Sequence, residues 1–318
     1  MMRPALLAAV VSLLLAPDSG AVGVAAQVVP PVATFKSSVD LVRVAAIVRD
    51  SKGRFVQDLT ARDFDVLDDG RPRPIADFQQ ELPGVSVAFL FDVSGSMEGR
   101  MVHAREAADR VMGLLDARDE AAVFTFDTRL NELMPFTSLT GGWRALPASM
   151  ARIIPFGETS LHDAIAQTAG RAGQRDGMRR AIIVLTDGVD NASHLKPSDA
   201  SGIASQVDVP VYIIGLVPSI DNPEEPTSTK SVERSALTGP LSNLARWTGG
   251  HVFLASTAIQ RGVAARQIVD ELRHQYLIAI EASGAPGWHP LEVHVRQKDL
   301  VVRARSGYHA GQSRPVSE

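Results

Sequence analysis

The 318-residue chain contains no cysteine. That excludes a disulfide framework, thiol catalysis, thiolate metal centres and lipid attachment through a cysteine. It also has no basic excess. The formal net charge is −4, and removing residues 1–26 takes away Arg3 and Asp18 together, which leaves it unchanged. Neither nucleic acid nor an anionic membrane surface is favoured as a partner. After the N-terminus, no apolar run approaches the roughly 20 residues needed to span a bilayer. The eight histidines lack metal-like spacing. A G-x-S-x-G elbow, which a serine hydrolase of the α/β type needs, is missing around Ser96, where the sequence reads Val93-Ser94-Gly95-Ser96-Met97.

What is present begins with an export signal. Arg3 supplies a positive charge, Ala5 to Ala16 is apolar apart from Ser12, and Val24-Ala25-Ala26 offers small residues for cleavage before Gln27. Residues 1–26 are therefore expected to be a signal peptide. The mature chain would be periplasmic or extracellular, with no transmembrane segment.

The rest divides by its hydrophobic pattern. Residues 31–83 are β-rich, from the run Val39 to Arg49 to a predicted hairpin of Phe64 to Leu67 and Ile75 to Phe78 around Asp68-Asp69-Gly70. Pro72 and Pro74 predict a second arm that is short or at a sheet edge. Residues 84–256 change grammar. Val85 to Phe91 (VSVAFLF), Ala121 to Phe126, Ala181 to Leu185 (AIIVL), Val209 to Leu216 and Val252 to Leu254 are apolar strands. Helical spacing through Ala104 to Leu115, Leu161 to Ala172 and Leu241 to Thr248 alternates with them. This predicts an α/β fold with a doubly wound, mostly parallel, Rossmann-like sheet. Residues 257–273 follow as a helix packing on it. Residues 274–312 return to strands at Tyr276 to Ile280, Leu291 to Val295 and Leu300 to Ala304, with Trp288-His289-Pro290 read as a connection. Neither end is large enough for a secure core. The two ends are therefore expected to pair into one smaller β-sandwich, with the α/β body inserted in it.

Two strands of that body run into aspartates, Asp92 and Asp187, and such sheets place ligands at these strand ends. Asp92 opens D-x-S-x-S, in which Ser94 and Ser96 offer hydroxyls and Gly95 is expected to permit a tight turn. Thr159, in Gly157-Glu158-Thr159-Ser160-Leu161, offers a third hydroxyl before a helix. Three hydroxyls and two carboxylates are hard oxygen donors suited to Mg²⁺, Mn²⁺ or Ca²⁺ rather than zinc or copper. Singly, each Ser or Thr is more often a helix cap than a ligand; the joint pattern favours an ion. An ion held partly through water stays electrophilic and can attract a carboxylate from a partner.

These residues resemble the metal motif of the von Willebrand factor A domain family: DVSGS at Asp92 to Ser96, GETSLHDAI at Gly157 to Ile165 and LTDG at Leu185 to Gly188. The resemblance spans about residues 84 to 256. It implies a metal-ion-dependent adhesion site (MIDAS), with Ser94, Ser96 and Thr159 as direct ligands and Asp92 and Asp187 acting largely through water. It also implies metal-dependent binding of a protein that presents Asp or Glu, with no catalysis. Glu158 departs from the pattern, since many relatives have glycine there. SSVDLVRVAAIVRDSKGRFVQDLTARDFDVLDDG at Ser37 to Gly70 and VRARSGYHA at Val302 to Ala310 resemble a bacterial group of exported proteins related to this family, first recognised in Acidobacteria.

Other readings compete. The flanking sandwich could make the contacts as an assembly scaffold, the ion only stabilising the fold. The FLFD strand resembles the nucleophile strand of haloacid-dehalogenase-like enzymes, but these need a second aspartate where Ser94 stands. A Ser96, His162, Asp163 hydrolase is disfavoured, and His162 reads as a surface histidine. Asp127 and Asp190 read as turn residues, Asp190 alternatively as part of the site's rim. The stretch 218–230 (PSIDNPEEPTSTK) reads as a solvated acidic loop on the site's face that could screen partners.

Overall fold

A continuous apolar strand is stable only where both faces are covered, and that condition organises the molecule. In the computed structural model, which describes residues 41–80, 84–141, 145–175, 177–218, 237–283 and 285–310, every residue of β5 (Val85–Asp92) and β8 (Arg179–Thr186) is buried. Side chains alternate across β5. Val87, Phe89 and Phe91 face α1 (Met101–Met112) and α5 (Ala258–Arg273), while Ala88 and Leu90 face α2 (Leu161–Ala172), α3 (Pro197–Gln206) and α4 (Pro240–Trp247).

The central sheet takes the order β10 (Val252–Leu254), β9 (Val211–Gly215), β8, β5, β6 (Glu120–Phe126), β7 (Leu130–Ser138). All neighbours are parallel except β7, which pairs antiparallel with β6. From β5 the chain crosses first to β6 on one side and later to β8 on the other. The C-terminal ends of β5 and β8 therefore flank the switch point where this architecture receives ligands.

The two chain ends build the second layer pair. One antiparallel sheet has the order β13 (Leu300–Ala304), β1 (Leu41–Asp50), β11 (Gln275–Glu281), β4 (Ile75–Gln79). The other has the order β14 (Gly307–Ala310), β12 (Gly287–Val295), β2 (Phe64–Asp68), β3 (Arg71–Arg73). N-terminal and C-terminal strands are interleaved: β1 lies between β11 and β13, and β2 pairs with β12. They enclose one core that includes Val44, Val48, Phe64, Tyr276, Ile278 and Leu291. The α/β body occupies the chain between β4 and β11. Buried polar contacts tie the two parts together. Arg305 donates to the carbonyls of Ser205 in α3 and Arg43 in β1. Glu271 of α5 receives Arg49 at 3.2 Å and also Arg303.

Several sequence expectations need correction. The Asp-Gly hairpin closes on Arg71–Arg73 rather than on Ile75 to Phe78, with Asp69 and Gly70 at positive φ. Pro74 then ends that arm, and Ile75–Gln79 crosses to the other sheet as its edge strand. Trp288, His289 and Pro290 belong to β12 and pair with β14, a strand whose pattern is too short to register. Neither β7 nor α3 stood out. β7 carries Pro135 at the sheet edge, where a missing amide is tolerated. α3 holds three serines and a glycine, poor helix formers, but starts on Pro197 and has Lys196 N–H donating to Asp199 at 3.0 Å. The expected signal peptide 1–26, the segment to residue 40 and nearly all of 218–230 lie outside the described residues. No described helix is long and apolar enough to cross a membrane.

Candidate functional site

Asp92 closes β5 with a carboxylate that is fully buried. Its Oδ1 accepts from the Ser94 amide at 3.0 Å and the Ser94 hydroxyl at 2.6 Å; its Oδ2 accepts from the Thr186 hydroxyl at 2.6 Å. Burial is the larger influence and pushes Asp92 up to about 6, against these hydrogen bonds, with the Asp187 charge adding to the rise. Ser94 Oγ lies 3.1 Å from Ser96 Oγ, so three of the expected ligands form one hydrogen-bonded string. Ser94 precedes a short 3₁₀ turn, Gly95–Met97, yet its hydroxyl makes no capping bond there. It turns to Asp92 instead.

The loop that leads into Thr159 is tied to this segment by backbone. Gly95 N–H donates to the Gly157 carbonyl at 3.0 Å, and Phe156 N–H to the Val93 carbonyl at 2.9 Å. Gly157 has φ +89°, which L side chains rarely adopt. Gly95 opens the expected tight turn, but without positive φ, and a Cβ there would meet only ordinary contact with Gly157 O at 3.5 Å. Thr159 itself is buried, its amide donating to Asn191 Oδ1 at 2.8 Å and its carbonyl accepting from the Asn191 and Ala192 amides at 3.1 Å.

Thr159 is not the cap of α2. That work falls to Asp190 and Ser193 from the loop after β8. Asp190 Oδ2 accepts from His162 N–H at 3.1 Å, and Ser193 Oγ from the amides of His162 and Asp163 at 3.0 and 3.2 Å. His162 is buried, contrary to the surface reading, with Nδ1 3.0 Å from Asp190. Its ring is bound to a carboxylate, and Asp163 is taken by the His194 and Leu195 amides, so these two residues do not assemble with Ser96 into a triad. Burial raises Asp190, but the hydrogen bonds from His162 and Ser193 outweigh it and hold the carboxyl at about 2. Asp127 is a turn residue, its Oδ1 accepting from Arg129 N–H at 2.8 Å. Its carbonyl also takes Ser160 N–H at 2.8 Å and steadies the Thr159 loop.

Asp187, fully buried after β8, receives the guanidinium of Arg100 at 2.7 Å on Oδ2 and Val189 N–H at 3.3 Å on Oδ1. Gly188 follows with φ +92°, and a Cβ there would lie 2.6 Å from Leu237. Arg100, at the start of α1, escaped the sequence reading because nothing local pairs it with a residue 87 positions away.

The donor set fits a hard divalent cation. Two buried carboxylates end neighbouring strands, with hydroxyls of two serines strung beside one of them, and Asp92 is costly to ionise without a nearby positive charge. Among the described residues no three acidic, imidazole or thiol side chains converge as a metal cluster. An ion here would rest on two carboxylates and hydroxyls.

The family model for the von Willebrand factor type A domain matches residues 86–257, more than half of the chain. The chain belongs to the von Willebrand factor type A domain family. No curated protein matches it. Similar solved structures to this A-domain chain include an aerotolerance-related membrane protein from Bacteroides fragilis with multiple mutations to serines, at 19% identity and TM-score 0.47, covering 59% of this chain and 98% of that one. A von Willebrand factor type A protein from Catenulispora acidiphila is 14% identical with TM-score 0.46, covering 84% and 73%. The PilB minor pilin from Streptococcus sanguinis, in its D319A mutant, is 15% identical with TM-score 0.46, covering 64% of each chain.

Proposed function

We propose that this A-domain chain is an exported docking protein. A divalent cation, Mg²⁺ or alternatively Mn²⁺ or Ca²⁺, would be held by Asp92, Ser94, Ser96, Thr159 and Asp187, and a partner's Asp or Glu would complete its shell. The observation that carries this reading is the pair of fully buried carboxylates, Asp92 and Asp187, at the switch point of the sheet. The ion would supply the positive charge that the buried Asp92 carboxylate lacks and an open position for an incoming oxygen. The chain's own residues set the terms. Thr186 and Ser94 orient the Asp92 carboxylate, Asn191 fixes the Thr159 backbone, and Arg100 competes for Asp187.

The test is retention of exported proteins on the immobilised chain in Mg²⁺, followed by release in EDTA, with Thr159→Ala as the control bait. Proteins held equally in EDTA, or equally by Thr159→Ala, refute the ion's role in docking. A second reading makes the sandwich the contact surface and the ion a stabiliser. Trp288 and Val301, exposed on β12 and β13, favour it. Its signature is a melting temperature raised by Mg²⁺ with retention indifferent to the ion.

A further inference from the structure

The loop that delivers Thr159 also carries the two most exposed large hydrophobic side chains among the described residues, Ile154 at 85% and Phe156 at 82%. Two large hydrophobic side chains so exposed, two positions apart on one loop, offer apolar area that a partner can cover. The loop is braced rather than loose. Ile153 packs inward against the core under the sheet. Pro155 fixes its own φ. The Phe156 amide is hydrogen-bonded to Val93, and the next carbonyl, of Gly157, to Gly95. Phe156 therefore stands one backbone hydrogen bond away from the segment holding Ser94 and Ser96.

Charge narrows the occupant. Glu98 and Glu158 are both exposed, one just after Ser96 and one just before Thr159. An acid-dense partner would meet them as like charges. A partner with a single carboxylate for the ion, and apolar groups beside it, would meet the ion and the two hydrophobic side chains at once.

Building on the docking reading above, we infer that the partner is a protein segment in which one Asp or Glu is flanked within a few residues by large apolar side chains, which seat on Ile154 and Phe156. These two residues are the specificity determinants of the site. The ion recognises the carboxylate and the apolar pair recognises its context.

The experiment is selection of random displayed 12-residue peptides on the full chain in Mg²⁺ with elution by EDTA. The enriched peptide is then synthesised and titrated against wild type, the double variant Ile154→Ser/Phe156→Ser, and Thr159→Ala. Enriched peptides should carry one acidic residue with Leu, Ile, Phe, Trp or Met nearby. The double variant should lose at least about tenfold in affinity, the scale expected from leaving two such side chains unburied, while its Mg²⁺-induced rise in melting temperature stays that of wild type. Thr159→Ala should lose both. Enriched peptides with acid and no apolar preference, or equal affinity for the double variant, overturn the inference. A wild-type dimer that the double variant converts to monomer would assign the patch to self-association and overturn it as well. If Mg²⁺ raises the melting temperature but no EDTA-eluted peptide enriches, the docking reading itself fails, and the inference falls with it.

Discussion

Replacing Asp92 with Asn should stabilise the metal-free protein and abolish its response to metal. Asp92 is fully buried, and burial raises its carboxyl from the ordinary 3.8 to about 6. The unfolded chain releases this proton near 3.8, whereas the folded chain keeps it until about 6. The Asp92 carboxyl therefore costs nothing in stability below about pH 4, costs more as pH rises through this window, and exacts its full penalty above it. The displacement corresponds to about 3 kcal/mol at neutral pH. Asn keeps the oxygen that receives Ser94 but places an N–H where Oδ2 met the Thr186 hydroxyl. Turning that hydroxyl costs about 1 kcal/mol, which leaves a net gain of about 2 kcal/mol. The assay is urea unfolding of both proteins in EDTA at pH 4, 5, 6, 7 and 8. The difference between them should grow from pH 4 to pH 6 and then level off, and only wild type should gain stability from Mg²⁺. An Asp92→Asn protein less stable than wild type at pH 7 in EDTA would refute the reasoning.

Arg100→Met removes the guanidinium that contacts Asp187 at 2.7 Å. Because the arginine is partly exposed, the competition is worth about 1 kcal/mol, so Mg²⁺ affinity by calorimetry should rise about fivefold; weaker binding would assign Arg100 a supporting role instead. Asp190→Ala removes the acceptor for the His162 amide and ring at the start of α2, and denaturant unfolding at pH 7 should show a loss of about 1–2 kcal/mol. That contribution is present above the ordinary carboxyl value and is lost as pH falls through about 2, so the penalty should shrink in strong acid. Limited proteolysis should release no stable fragment of residues 31–83 alone, because β1 and β2 complete their sheets only with C-terminal strands; a folded fragment of that size would contradict the shared sandwich.

The parts of the fold legible in sequence were those with local signatures. VSVAFLF and AIIVL announced buried parallel strands, and Leu161–Ala172 and Ala258–Arg273 carried clear helical spacing. What escaped depended on partners far along the chain. Ile75–Gln79 reads as the arm of its nearest hairpin, but its partner is β11, some two hundred residues later. β7 and α3 are held by position at an edge and by a capping carboxylate, not by pattern. At the site, the residue types and order were visible, because aspartates at strand ends and a D-x-S-x-S loop are local. Arg100 on Asp187, and the Asp190, Ser193 and His162 cluster that caps α2, were not. The sequence LTDGVDNAS did place Asp190, Asn191 and Ser193 close behind Asp187, and side chains of that kind often bind backbone amides. Which amides they bind is set by tertiary approach.

The most direct test of the account is the melting temperature of the full chain in Mg²⁺ and in EDTA, for wild type and for Thr159→Ala. Thr159 contributes no charge and does not cap α2, so its loss should leave the metal-free melting temperature close to that of wild type. Wild type should melt at a higher temperature in Mg²⁺ than in EDTA, and Thr159→Ala should melt at the same temperature in both. Equal melting of wild type in Mg²⁺ and EDTA, at millimolar ion and neutral pH, would contradict it.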